Sequence, residues 1–199
     1  MEIININDTS NKLFYIGGVV RDELLGRQSF DIDITYEGNA IEYCPRFGEV
    51  IQKNPDFGTV RVNVGGREVD FASTRSESYP RKGHLPVVEK IGCSLREDVM
   101  RRDFTINALA KSVAAGEIVD YTGGLEDLKN KKLRVLHDES FIDDPTRIIR
   151  GLKFSVRFGF ELDEHTRRLQ ENYLSNINYD MSYNCLLYTS PSPRDVEES

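Results

Sequence analysis

No run of eighteen apolar residues occurs in this 199-residue chain, so the sequence offers no membrane span. Its opening, Met-Glu-Ile-Ile-Asn-Ile-Asn, lacks both the basic start and the apolar centre of a signal peptide, and a cytoplasmic location is the expectation. Cysteine is scarce. Cys44, Cys93 and Cys185 lie far apart without a C-x-x-C pair, which argues against a disulfide framework or a cysteine-based zinc site and leaves reduced thiols. His84, His137 and His165 share no ligand spacing, so each reads as a surface or capping residue. Positive charge is not in excess either: the formal net charge is −7, the opposite of a typical nucleic-acid footprint. Local sign matters more when a phosphate is the ligand. Between Arg75 and Arg102 stand seven Lys/Arg against four Asp/Glu, and between Pro145 and Phe160 four basic residues with no acid.

What is present reads as α/β. Leu13 to Ile16 is a short apolar run stopped by Gly17-Gly18, and Val19 to Leu25 has helical spacing closed by Gly26: strand, tight turn, helix. Phe30 to Tyr36 alternates strictly, placing Phe30, Ile32, Ile34 and Tyr36 on one side and Asp31 and Asp33 on the other. Val60 to Val64 and Arg67 to Phe71 flank Gly65-Gly66, a hairpin signal that pairs Val62 with Val69 and sets Asp70 opposite Arg61. Residues 75–95 carry Pro80, Gly83 and Pro86 without periodicity and read as a long mobile loop. Leu95 to Arg102 reads as a helix, Phe104 to Leu109 as a strand, and Asp120 to Gly124 as a turn into a short helix through Leu128. From Asp143 the chain becomes helical through Tyr173, marking a boundary between an α/β head and an α-helical neck.

Two aspartates at i and i+2 on a strand point the same way, with Cα atoms roughly 7 Å apart, so both carboxylates lean toward one or two divalent ions. Hard oxygen ligands suit magnesium, and metal-assisted nucleotidyl transfer needs such a pair. Asp70 on a neighbouring strand is the best third carboxylate, with Glu68 as the fallback. Alone, a D-x-D strand is simply a solvated face. Its neighbours add weight: Gly17-Gly18 opens a helix where a triphosphate is favoured, and Arg21 stands one turn further on. In the later helical stretch, Arg147, Arg150, Lys153 and Arg157 share one face, while Ile148, Ile149, Leu152 and Val156 occupy the other. Phe154, Phe158 and Phe160 read as neck core.

The stretch Gly17-Gly18-Val19-Val20-Arg21-Asp22-Glu23-Leu24-Leu25-Gly26, followed by Asp31-Ile32-Asp33, resembles motif A of the bacterial-type (class II) CCA-adding enzymes and bacterial poly(A) polymerases. Three further stretches follow in that family's order. Arg101 to Ala108 resembles motif B, Asp120 to Leu128 motif C, and Asp143 to Arg150 motif D. The resemblance covers residues 13–184. It implies a DNA-polymerase-beta-like nucleotidyltransferase head over residues 1–138 and part of a helical neck over 139–184. It also implies Mg2+ held by Asp31 and Asp33, with Asp70 as a further catalytic carboxylate. Arg102, Asp103 and Asn107 would read the ribose of the incoming nucleotide. Asp144 and Arg147 would read its base, accepting CTP and ATP, while Arg150 and Lys153 would meet phosphate or the tRNA 3′ end. Two positions differ from many relatives, which carry Glu at Asp143 and Arg at Lys153. The stretch Thr74 to Gly83, with Leu85-Pro86, resembles the flexible loop between motifs A and B, to which the family gives a gating role.

The expected activity is template-independent addition of CMP and AMP to a tRNA 3′ end with release of pyrophosphate. CC-adding, A-adding and poly(A)-polymerase outputs share motifs A to D, and an inert nucleotide- or RNA-binding fragment is the rival from another class. Cys185-Leu186-Leu187-Tyr188-Thr189-Ser190-Pro191-Ser192-Pro193-Arg194-Asp195 breaks from the family pattern. Residues 185–199 are therefore expected to be a non-native tail resembling a translated sequencing adapter, with the RNA-binding domains lost beyond it.

Overall fold

The computed structural model describes residues 6–29 and 31–176; the expected tail, Cys185 and Phe30 lie outside them. In chain order the elements are β1 (Leu13–Ile16), α1 (Gly18–Leu24), β2 (Asp33–Tyr36), α2 (Ala40–Tyr43), β3 (Glu49–Asn54), β4 (Thr59–Val64) and β5 (Arg67–Ser73). There follow β6 (Arg75–Ser78), β7 (Val87–Ile91), α3 (Leu95–Met100), β8 (Ala110–Ser112), β9 (Ile118–Val119), α4 (Gly124–Lys129) and β10 (Lys132–Leu133). The helical end comprises α5 (Ser140–Asp143), α6 (Thr146–Phe158), β11 (Glu161–Leu162) and α7 (Glu164–Ser175).

Seven strands form one mixed sheet in the order β3-β4-β5-β2-β1-β8-β9, with helices flanking it. Every neighbour pair is antiparallel except β2 and β5, which run parallel and set Asp33 beside Asp70. The alternating apolar residues of the strands explain the core. Ile34, Val60, Val62, Val69 and Phe71 are fully covered, and Val19 and Val20 of α1 and Phe104 join them. The β4–β5 hairpin has the register read from its glycines, Val62 opposite Val69 and Arg61 opposite Asp70. A second small cluster joins Leu95 and Val99 of α3 to Ile16 and Ala110. Cys44 and Cys93 are buried free thiols, and burial pushes Cys44 up to about 12. Among the described residues no helix is long and apolar enough to cross a membrane.

Three expectations change. Residues 75–95 are not an irregular loop: β6 and β7 pair as an antiparallel hairpin. Its far end is tied down, because Lys82 donates to Glu139 at 3.0 Å and to Asp143, and the Gly83 N–H donates to the Asp143 carbonyl. Phe104 to Leu109 is not a strand either. Phe104 makes a lone bridge to Val135, and Thr105–Asn107 is a single 3-10 turn before β8. That turn forms because Asp103 accepts from the Phe104 N–H and from Asn107 Nδ2, a local alternative to ladder bonding. Finally, helix does not run unbroken to Tyr173: Gly159 ends α6 at φ 70, and β11 pairs parallel with β10 before α7 begins.

The apolar core runs without a break past position 138, with Leu133, Phe141 and Phe160 in the same cluster. α6 meets it through Gly151, where an added Cβ would come within 3.0 Å of the Phe104 ring. Arg147 is turned inward and Phe154 packs edge-on to Phe104. The opposite face stays open: Leu152 and Val156 are 63% and 80% exposed.

Candidate active site

β1 delivers the chain to Gly17, whose φ of +72° suits glycine and starts α1. A Cβ there would also stand 3.4 Å from Arg102 Nη1 and 3.5 Å from the Asn107 carbonyl oxygen. The turn opens into a cavity of about 680 Å3 between the sheet, the β6–β7 hairpin and the start of α6. Gly17, Gly18, Arg21, Asp33, Arg102, Asp103, Asn107, Asp144, Arg147 and Arg150 all line it. Of the remaining residues singled out in the sequence, Asp31 and Asp70 line an adjoining depression of about 280 Å3, and Lys153 is exposed on α6. None of the three histidines lines the cavity.

Asp33 sits on the cavity floor, in contact with solvent. Desolvation by the surrounding walls, and next the neighbouring Asp70 carboxylate, push its carboxyl up to about 6, while the Arg102 guanidinium pulls the other way. Asp70 is gripped by Arg61, which donates from Nε at 2.7 Å and from Nη2 at 2.9 Å. Glu68 lies 3.6 Å from the same guanidinium. Among the described residues no three Asp, Glu, His or Cys side chains converge as a ready-made metal cage. The donors nevertheless suit a hard divalent cation: the negative charge that crowds Asp33 is the kind such an ion relieves.

A buried polar chain joins motifs far apart in sequence. Arg21 donates to Asp22 at 2.8 Å and to Asn107 Oδ1 at 2.6 Å; Asn107 Nδ2 donates to Asp103 at 3.0 Å; and Asp103 pairs with Arg150 at 2.7 Å. The Arg21 guanidinium lies over the rings of Phe154 and Phe158. Its charge is therefore already engaged, rather than held out toward a phosphate. The basic face of α6 is likewise paired, by acids from other elements: Arg147 lies 3.7 Å from Asp144, and Arg157 lies 3.9 Å from Asp22. Arg147 is 2% exposed and donates to Ser140 Oγ, the Arg101 carbonyl and the Tyr79 hydroxyl.

The cavity also contains residues that the sequence did not single out. Arg75, Glu77, Tyr79 and Arg101 line it from the hairpin and the end of α3. None was given a site role of its own: Arg75, Glu77 and Tyr79 lay in the stretch read as a gating loop, and Arg101 only opened the motif B stretch. Behind them lies Asp98, fully buried, which accepts from Arg101, Arg102 and the Arg75 N–H. Its spacing of three and four residues from Arg101 and Arg102 on a helix was the available signal.

Comparison with known proteins now decides the family. Residues 13–134 match the poly A polymerase head domain. The chain belongs to that family. Its fold, a mixed sheet with flanking helices, is that of solved members: the chain superposes on a CCA-adding enzyme in an apo form with a TM-score of 0.74 and 39% identity, covering 82% of this chain and 40% of that one. A tRNA nucleotidyltransferase complexed with a primer tRNA and an incoming ATP analogue gives a TM-score of 0.71 at 38% identity, covering 94% and 55%. In sequence the chain is 48% identical over 165 residues to an A-adding tRNA nucleotidyltransferase of Aquifex aeolicus, covering 79% of this chain and 20% of that protein. It is 36% identical over 168 residues to a CCA-adding enzyme of Staphylococcus saprophyticus, covering 83% and 42%. The chain thus spans from a fifth to just over half of these relatives' length.

Proposed function

We propose that this chain is the nucleotidyltransferase head and first neck helices of an enzyme that adds CMP and AMP, from CTP and ATP, to the tRNA 3′ end. The carrying observation is a single cavity that joins the Gly17-Gly18 turn, Asp33, Arg102 and the Asp144/Arg147 pair. The triphosphate would lie against the turn and against Arg102, whose place beside Gly17 suits a phosphate rather than the ribose that the resemblance gives it, with the base toward Asp144 and Arg147. There a carboxylate accepts from an exocyclic amine and a guanidinium donates to ring acceptors, which favours C and A over G and U. Arg147 already spends donors on Ser140, Tyr79 and the Arg101 carbonyl, so reading a base requires it to exchange one of them. Asp103 and Asn107, locked together, would present polar atoms to the ribose.

Asp31 and Asp33 would hold magnesium, which when bound lowers the pKa of the attacking hydroxyl and neutralises charge on the leaving pyrophosphate. In the transfer the RNA 3′-hydroxyl oxygen bonds to the α-phosphorus, and the bond to pyrophosphate breaks. Asp70 would serve beside them only by loosening its bond to Arg61. A division near residue 138 between head and neck, and a cytoplasmic setting, belong to the same reading.

A narrower output, addition of A alone, is favoured by the identity of 48% to the Aquifex A-adding relative against 36% to the Staphylococcus CCA-adding one. Full-length protein should be incubated with tRNA ending at the discriminator base or after CC, with CTP and ATP singly and together. Extension of the first tRNA by three residues supports the broad reading, and extension only of the second by one A supports the narrow one. In the 199-residue chain itself, magnesium-dependent CTP or ATP binding that is lost in Asp31→Ala supports a working head. A folded chain that binds neither nucleotide is an inert fragment.

A further inference from the structure

We infer that Asp98 is a positioning residue that aims Arg102 at the phosphates of the bound nucleotide. The inference rests on the nucleotidyltransferase reading above.

Asp98 is 0% exposed, inside α3 and outside the cavity lining. A lone buried carboxylate is costly, and this one stays charged because its oxygens are saturated with donors. Oδ1 accepts from the Arg75 N–H at 3.0 Å and from Arg101 Nε and Nη2 at 3.1 and 2.9 Å. Oδ2 accepts from Arg102 Nη2 at 3.0 Å. Burial works to raise its pKa, but the two guanidinium groups prevail and hold it below the usual carboxylate range.

The grip fixes the other end of Arg102. With Nη2 tied to Asp98, Nη1 stands over Gly17, where an added Cβ would lie 3.4 Å away. Arg102 Nε is buried and has no hydrogen-bond partner among the described residues. A guanidinium held from behind through Nη2, with Nη1 over the glycine turn at the cavity, is a preorganised phosphate ligand. Released from Asp98, Arg102 would keep its charge and lose its aim.

A merely structural aspartate would affect all nucleotides alike, whereas an anchor for a phosphate ligand would not. The test is the ladder of dissociation constants for CTP, CDP and CMP, measured by calorimetry in magnesium on the 199-residue chain and on Asp98→Asn. CTP affinity should fall about tenfold or more while CMP affinity changes less than about twofold, compressing the ladder. Arg102→Lys should compress it similarly, and adding it to Asp98→Asn should cost little more. Where Asp98→Asn does not fold by circular dichroism, Asp98→Glu replaces it, retaining the charge but displacing the guanidinium; it should show the same uneven loss at about threefold. Equal losses for CTP and CMP, or an unchanged ladder in either folded variant, overturn the inference. A folded wild-type chain that binds no nucleotide overturns instead the nucleotidyltransferase reading beneath it.

Discussion

Replacing Asp120 tests whether motif C works as scaffolding for motif B. The Asp120 carboxylate accepts four backbone N–H groups: those of Thr122, Gly123 and Gly124 on Oδ1 at 2.9 to 3.0 Å, and that of Leu125 on Oδ2 at 2.9 Å. Burial works to raise its pKa, but these donors outweigh burial and hold it below the usual carboxylate value. The turn it holds opens α4, whose Gly124 is pressed onto the motif B backbone; a Cβ there would come within 2.3 Å of the Thr105 carbonyl oxygen. Asp127 of the same helix accepts from Thr105 Oγ1 at 2.6 Å. Asp120→Asn keeps one acceptor oxygen and removes the charge, so at about pH 7 it should cost about 1–2 kcal/mol. That corresponds to a drop in Tm of roughly 2–8 °C for a chain of this size. A depressed folded pKa gives stability that is present above the unfolded value and lost as pH falls through the folded one. The gap between wild type and Asp120→Asn should therefore be full above about pH 4 and close below it. Urea denaturation followed by circular dichroism at both ends of that window is the assay. A loss under about 0.3 kcal/mol near neutrality, or a gap that does not change with pH, would refute the capping argument.

Asp33 should behave in the opposite sense: its carboxyl titrates near 6, above the unfolded value, so its contribution is present below about pH 4 and lost as pH rises through 6. After allowance for solvent contact, Asp33→Asn should stabilise metal-free protein by about 1 kcal/mol at neutral pH; a destabilised Asp33→Asn in chelator would contradict this. Magnesium should raise the wild-type Tm and leave that of Asp33→Asn unmoved, which differential scanning fluorimetry reads directly. Lys82→Ala removes the exposed ties from the hairpin to Glu139 and Asp143 and should cost less than about 1 kcal/mol globally. Hydrogen exchange at residues 79–86 should nonetheless quicken, and unchanged protection would mean that the hairpin is held elsewhere. Leu152→Ser and Val156→Ser, on the exposed face of α6, should each fall within about 0.5 kcal/mol of wild type, whereas Phe104→Leu should cost more.

The residues legible in the sequence were those whose partners lie close by in the chain. Alternation placed Ile32 and Ile34 inside, and Gly65-Gly66 set the Arg61–Asp70 register, because pleat and turn geometry act over a few residues. Motif order drew Gly17, Asp33, Asn107 and Arg147 to one site, and the fold places all four around one cavity. The β6–β7 hairpin was missed because neither strand has a buried apolar face to betray it; Arg75 to Ser78 are polar throughout, and the pair is anchored by ions. The Thr105–Asn107 turn was mistaken for strand because Phe104, Ile106 and Leu109 are all buried, which mimics an extended apolar run. The expected freedom of Arg21 and of the α6 cations failed for one reason. Their counter-charges, Asp22, Asp103 and Asp144, are supplied by neighbours that a reading by element assigns to other jobs.

The chain from Asp22 through Arg21, Asn107 and Asp103 to Arg150 bears on how such a domain can be rebuilt. A motif D helix grafted from a relative without a cation at Arg150 would leave the buried Asp103 its hydrogen bonds but not its guanidinium, and a new motif B turn without Asn107 would leave Arg21 a carboxylate on one side only. Recombination between relatives should therefore succeed when crossovers fall outside residues 21–150 and fail when they separate these partners, whatever the identity of the sequences exchanged.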